Sequence, residues 1–221
     1  AVASLQPPVP AGRLAMQPSP NQPVGVGWRC PTEMEIEVDV QIQDTDPGSQ
    51  DGVRWSLEVS QNGLRKELRH GICHDGRSDQ AHLPSRPGQK RWLRLGRGDW
   101  LALVLDVITD YRGDVCLVEL NIRQVGGEGR VWNLVQDVAP DIQAGNPHVD
   151  AYGQPTWSFF AMRKHQGGGD VLPWLLPDSA LARWYAAVAD PERKEELERL
   201  NQRLGGMLAG SVAPQVEPAD A

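Results

Sequence analysis

The sequence predicts a mainly β fold: an antiparallel β-sandwich, jelly-roll-like, with a proline-rich N-terminal arm and C-terminal helices. Three observations predict it. Glycine (23) and proline (18) are frequent among the 221 residues, which favours turns over long helices. Short stretches of period-two alternation recur between turn signals, and strands do not alternate with helices before residue 175, which disfavours a parallel α/β fold. Only beyond that point does the apolar period become helical. A chain of 24.3 kDa is long enough to bury a sizeable core.

The elements follow in chain order. Residues 1–27 carry Pro7, Pro8, Pro10, Pro18, Pro20 and Pro23 with little apolar patterning, so they are expected as an extended arm and not as a helix or a central strand. The sandwich is expected over residues 28–165. From Glu33 to Ile42 the alternation is strict, with Met34, Ile36, Val38, Val40 and Ile42 on one face and Glu33, Glu35, Glu37, Asp39 and Gln41 on the other. Val53, Trp55, Leu57 and Val59 repeat the pattern, and Gln61-Asn62-Gly63 turns the chain into a hairpin partner at Leu64 to Leu68. Arg91 to Leu95, Trp100 to Val107 and Val115 to Ile122 are further strands, the first two separated by a turn at Gly96-Arg97-Gly98-Asp99. Val131 and Trp132 open a less regular segment to Val138, and Thr156 to Met162 is the last strand. Gly25-x-Gly27 and Gly126-Gly127-x-Gly129 lack the following helix of a phosphate cradle and are expected as turns.

The helices are expected over residues 177–206. Leu181, Trp184, Tyr185 and Val188 stand at helical spacing behind a cap at Asp178 or Ser179, with Trp184 as the anchor onto the sandwich. Asp190-Pro191-Glu192 starts a second helix with Leu197, Leu200 and Leu204 on its apolar face, and Gly205-Gly206 is expected to stop it. Residues 207–221 are expected as a flexible tail.

Composition restricts function. A net charge of −7 and a pI of about 5.2 argue against a nucleic-acid binder, which needs a basic footprint. No run of eighteen apolar residues exists, so no transmembrane segment is expected. The start Ala1-Val2-Ala3 fits a processed export product or an excised domain. Cys30, Cys73 and Cys116 allow one disulfide at most; three buried apolar thiols fit equally well. The basic residues are 18 Arg and 4 Lys, which suits carboxylate pairing and stacking on Trp faces and equally reflects a GC-rich genome.

Several residue sets bear on chemistry. His70, Cys73, His74 and His82 are the densest group of soft-metal ligands, but their spacing matches no known zinc finger, and a polar loop explains them as well. Asp44, Asp46 and Asp51, with Asp106, Asp110 and Asp114 further on, are oxygen donors of the kind calcium prefers; turn chemistry accounts for such residues too, and no other cofactor is expected. His148, Asp150 and Tyr152 form either an acid–base set or a hydrogen-bonded loop. No nucleophile elbow is present, and the chain is not expected to be an enzyme. Eight of the aromatic residues are Trp, whose flat indole suits the C–H face of a sugar ring. Trp55 is expected in the core, whereas Trp92 and Trp100, with Arg94 and Arg97 beside them, are the candidates for an exposed glycan platform or, alternatively, further core.

Asp51-Gly52-Val53-Arg54-Trp55, Gly98-Asp99-Trp100, Cys116-Leu117-Val118-Glu119-Leu120, and the run from Ala144-Gly145-Asn146-Pro147-His148-Val149-Asp150-Ala151-Tyr152-Gly153-Gln154-Pro155 to Trp157-Ser158-Phe159-Phe160 form a set. Together they resemble the carbohydrate-binding-module-like β-sandwich insert of large exported planctomycete proteins that also carry a c-type cytochrome domain. The resemblance covers about residues 28 to 185, and Asn146, His148, Asp150, Tyr152 and Trp157 carry its most specific part. It implies a sandwich fold, export to the periplasm or cell envelope, and a non-catalytic glycan-binding role. The alternative is a structural or accessory subunit of an envelope complex, whose arm and C-terminal helices contact other subunits.

Overall fold

The structure is a computed structural model that describes residues 9–20, 22–47, 51–61, 64–83, 92–109, 111–162, 184 and 194–208. The chain divides into two units, Ala1–Leu172 and Pro173–Ala221. In the first, two six-stranded sheets, antiparallel throughout, enclose one core in a β-sandwich arrangement.

The first sheet contains β1 (Ala15–Met16), β9 (Cys116–Gln124), β3 (Met34–Asp44) and β6 (Ser78–Leu83) in that order, with β7 (Leu93–Leu95) also on β3 and β10 (Val131–Asn133) also on β9. The second runs β11 (His148–Val149), β12 (Pro155–Ala161), β2 (Val24–Arg29), β8 (Trp100–Val107), β4 (Val53–Gln61) and β5 (Leu64–Cys73). The expected period of two sorts the faces: Ile36, Val38 and Ile42 are wholly buried, while Glu35, Asp39 and Gln41 are exposed. Trp28 of the second sheet meets Trp132 of the first edge-on, their centroids 4.9 Å apart. Trp55 lies in the core as expected, its indole N–H donating to Asp79 at 2.8 Å.

The β4–β5 hairpin forms in the expected register, Gln61 opposite Leu64, although Asn62 and Gly63 lie outside the described residues. β5 runs on to Cys73, beyond the expected end at Leu68. The turn at Gly96 to Asp99 joins β7 and β8, which belong to different sheets, so it is a crossing of the sandwich. Asn133 caps the short helix α1 (Leu134–Val138), its side-chain oxygen accepting from Gln136 N at 2.7 Å. A single 3-10 turn follows at Ala139–Asp141.

The arm needs correction. Leu14 is in the core and Ala15–Met16 pair with β9, so this segment is docked. The expectation of no central strand before residue 28 fails at Val24, where β2 enters between β12 and β8. Gly25 and Gly27 are strand residues and not a turn. Each leaves a slot on the strand surface: a Cβ at Gly25 would stand 2.4 Å from the Phe160 ring, and one at Gly27 would stand 2.9 Å from the Trp100 ring. Gly126, Gly127 and Gly129 do form a turn, with positive φ.

In the second unit, α2 (Lys194–Leu208) carries acids in its first turn, Glu195 and Glu196, and buries Leu200. It does not stop at Gly205-Gly206, because Gly205 keeps helical backbone in place of the left-handed φ that a glycine cap requires. The preceding expected helix lies outside the described residues except at Trp184, which is helical and donates its indole N–H to Asn201 at 2.5 Å. Of the expected tail, only Met207 and Leu208 are described, and they are helical.

Candidate functional site

Of the four residues expected as a glycan platform, Trp100 does not offer the exposed face expected of it. Trp100 is 5% exposed, and its ring packs over Gly27 on the neighbouring strand, where a Cβ would stand 2.9 Å away. Trp92 is half-buried. Arg94 and Arg97 are exposed, and Arg94 is held by Glu33 at 2.5 Å.

The residues of the Asn146 to Trp157 run do come together, as a brace. Asp150, 5% exposed, accepts from the Trp132 indole at 2.8 Å, from the backbone N–H of Tyr152 and Gln154 at 2.9 Å each, and from the Thr156 hydroxyl at 3.0 Å. Asn146 pairs with both backbone groups of Phe159, at 2.7 and 2.9 Å. Trp157 is wholly buried and donates to Asp137 at 2.8 Å. Burial pushes the Asp137 carboxyl above the ordinary Asp value, against the opposing effect of that indole. The Tyr152 hydroxyl donates to Val131 O at 3.2 Å and accepts from Val131 N at 3.0 Å, and Arg130 lies 5.2 Å over its ring. His148 places both ring nitrogens 2.9 Å from backbone carbonyls, those of Val149 and Asp141. Asp150 is not among its partners, so the acid–base set is replaced by the hydrogen-bonded loop.

The expected metal ligands also separate. His70 pairs with Glu67, His74 with Asp75 and His82 with Asp39, each at 2.6 Å, while Cys73 is buried. Asp44 accepts from Asp46 N at 2.9 Å and Asp51 from Thr109 N at 2.9 Å, which is turn bracing. Among the described residues no three His, Cys, Asp or Glu side chains converge as a metal site. The Asp44, Asp46 and Asp51 geometry therefore gives no support to calcium.

What the fold assembles instead is a polar groove of about 400 Å³ on the outer face of the first sheet, walled by Asp39, Gln41, Gln80, His82, Glu119 and Asn121. Antiparallel register builds it. Asp39 lies between His82 and Asn121 on the adjoining strands, and Gln41 lies between Gln80 and Glu119. Asp39 is paired with His82 at 2.6 Å, and Glu119 with Arg13 of the docked arm at 2.6 Å. Asn121 is fixed by the Asn133 side-chain amide. Both carboxylates thus have a basic partner, and Gln41 and Gln80 offer exposed amide donors and acceptors. Alternation alone reveals the polar face of β3, but not which strands lie beside it.

Comparison with protein-family models, with curated proteins and with solved structures yields no match. Among the described residues no helix is long and apolar enough to cross a membrane.

Proposed function

We propose that this jelly-roll-like sandwich is a non-catalytic carbohydrate-binding module of an exported bacterial protein, working in the periplasm or at the cell envelope. The observation that carries the reading is the groove over β3, β6 and β9. Its amides and its hydrogen-bonded carboxylates suit the hydroxyls of a neutral sugar, because each hydroxyl is both donor and acceptor and an Asn or Gln side chain answers in both senses. A volume of about 400 Å³ lies at the lower end of the range for small-ligand sites and suits one or two sugar rings. The contacts move from the Trp92 and Trp100 region to this polar face. The Asn146 to Trp157 run supports the scaffold.

The test is affinity electrophoresis of the full chain through gels containing soluble polysaccharides, with a glycan array alongside. Retardation by at least one polysaccharide, lost on Gln41→Ala with Asn121→Ala, supports the proposal. Unaltered mobility in every polysaccharide and a blank array overturn it.

A second reading, an accessory subunit of an envelope complex, draws on β5. This strand closes the second sheet at its edge, with Leu64 76% and Ile72 50% exposed. A stoichiometric complex with other chains in native mass spectrometry would favour it over the glycan reading.

A further inference from the structure

Cys73 and Cys116 belong to different sheets, yet the fold brings them to one end of the core. Cys116 opens β9, directly opposite Asp44, the last residue of β3. Residues so paired have Cα atoms roughly 4.5–5.5 Å apart. Cys73 ends β5 on the facing sheet, and its sulfur accepts the backbone N–H of that same Asp44 at 3.2 Å. Its thiol also donates to Arg77 O at 3.0 Å. Both cysteines are buried in the shared core, at 1% and 0% exposure.

Cys30 is elsewhere. Its thiol faces Thr32 O and Leu95 O, and Leu95 is paired with Met34 at the opposite end of β3. A strand of 11 residues spans about 33 Å, far beyond the roughly 7 Å of Cα separation that a disulfide tolerates. Burial raises the thiols of both Cys73 and Cys116.

We propose that Cys73 and Cys116 are a disulfide-forming pair that closes as the chain folds in an oxidising compartment, tying the end of the second sheet to the first. The oxidant is a small-molecule disulfide such as oxidised glutathione. A Cys73 thiolate attacks one of its sulfurs, forming a mixed disulfide and expelling one glutathione thiolate. The Cys116 thiolate then attacks the Cys73 sulfur, forming the protein S–S bond and expelling the second glutathione thiolate. The two cysteine sulfurs are oxidised, the glutathione disulfide is reduced to two thiols, and the two cysteine protons end on them. Burial raises both thiols and keeps them protonated in the folded chain, so the exchange belongs to the stage before the sheets close.

The test is refolding of the full chain at pH 8 in a glutathione redox buffer, followed by thiol blocking, trypsin and non-reducing mass spectrometry. The expected product joins the tryptic peptides of residues 70–77 and 113–123, with Cys30 recovered as a blocked thiol. Reduction should then lower the melting temperature by about 10 °C, from the chain entropy that the closed loop withholds from the unfolded state. A Cys30→Ser chain should give the same cross-link. Cross-linking through Cys30, or complete refolding with Cys73 and Cys116 still thiols or glutathione adducts, overturns the proposal.

Discussion

The indole N–H of Trp132 meets the carboxylate of Asp150 at 2.8 Å, a buried donor on the first sheet held by a buried acceptor in the loop between β11 and β12. The same carboxylate accepts from two backbone N–H groups and from Thr156. Removing it leaves several donors unanswered away from water. Asp150→Ala should cost about 3–5 kcal/mol in urea unfolding, and Asp150→Asn, which keeps one acceptor oxygen, about half of that. Tyr152→Phe removes only the partly exposed pair with Val131 and should cost about 1 kcal/mol or less. Equal losses at Asp150 and Tyr152 would contradict this ranking.

Gly27 matters for what lies on it. A methyl group there would meet the Trp100 ring at 2.9 Å, and Trp100 is packed too closely to move freely. Gly27→Ala should destabilise by about 1–3 kcal/mol, as overpacking of a closely packed contact does. Gly25→Ala should do the same, because its Cβ would fall 2.4 Å from Phe160 with Leu103 O also near. Gly126→Ala meets no neighbouring atom, so it isolates the strain of a positive φ and should cost about 1 kcal/mol. Thermal melting of the three variants, with near-ultraviolet circular dichroism for the Trp100 environment, checks the order.

These contacts show where sequence is legible and where it is not. β3 and β8 are read correctly because their inward residues, Met34, Ile36, Val38, Val40 and Ile42 on β3 and Leu101, Leu103 and Leu105 on β8, are themselves apolar. β2 escapes because the outward positions that would mark its period are glycines, whose purpose is to admit rings from β8 and β12 distant in sequence. β5 is cut short because Arg69, His70 and Gly71 interrupt the apolar period on an exposed edge strand. In the Asn146 to Trp157 run the abundance of hydrogen-bonding side chains is visible, but Trp132 as the partner of Asp150 is not. The groove is the least legible feature. It exists only once β6 and β9 flank β3, and the member that the metal-ligand pattern singles out, His82, is spent there on Asp39.

Asp137 makes stability depend on acidity in a definite direction. Burial raises its pKa above the unfolded value, so the folded state binds its proton more readily. Its contribution is therefore fully present below the ordinary Asp pKa, and it is lost as pH rises through the raised folded value. Asp137→Asn cannot titrate and still offers an oxygen to the Trp157 indole. The stability of wild type minus that of this variant should fall with rising pH from just below the usual Asp range and then level off. Urea midpoints for both chains between pH 3 and pH 7 measure it, and a difference curve that rises across that window contradicts the assignment.

Gln41 separates binding from folding. Its side chain is exposed on β3 between Gln80 and Glu119, with hydrophobic neighbours Val40 and Ile42 turned the other way into the core. Truncation to Ala removes an amide from the groove without opening the core, so stability should stay within about 0.5 kcal/mol. A sugar hydroxyl that loses one well-placed amide partner should bind roughly ten-fold more weakly, since about 1.4 kcal/mol corresponds to a factor of ten. Val40→Ala on the adjacent position reverses the pattern: a loss of about 1–3 kcal/mol in stability and little change in the affinity of the folded fraction. Glycan titration by calorimetry, beside urea unfolding of the same samples, distinguishes the two effects. If Gln41→Ala binds as wild type does, the outer face of β3 is not the sugar-contacting surface.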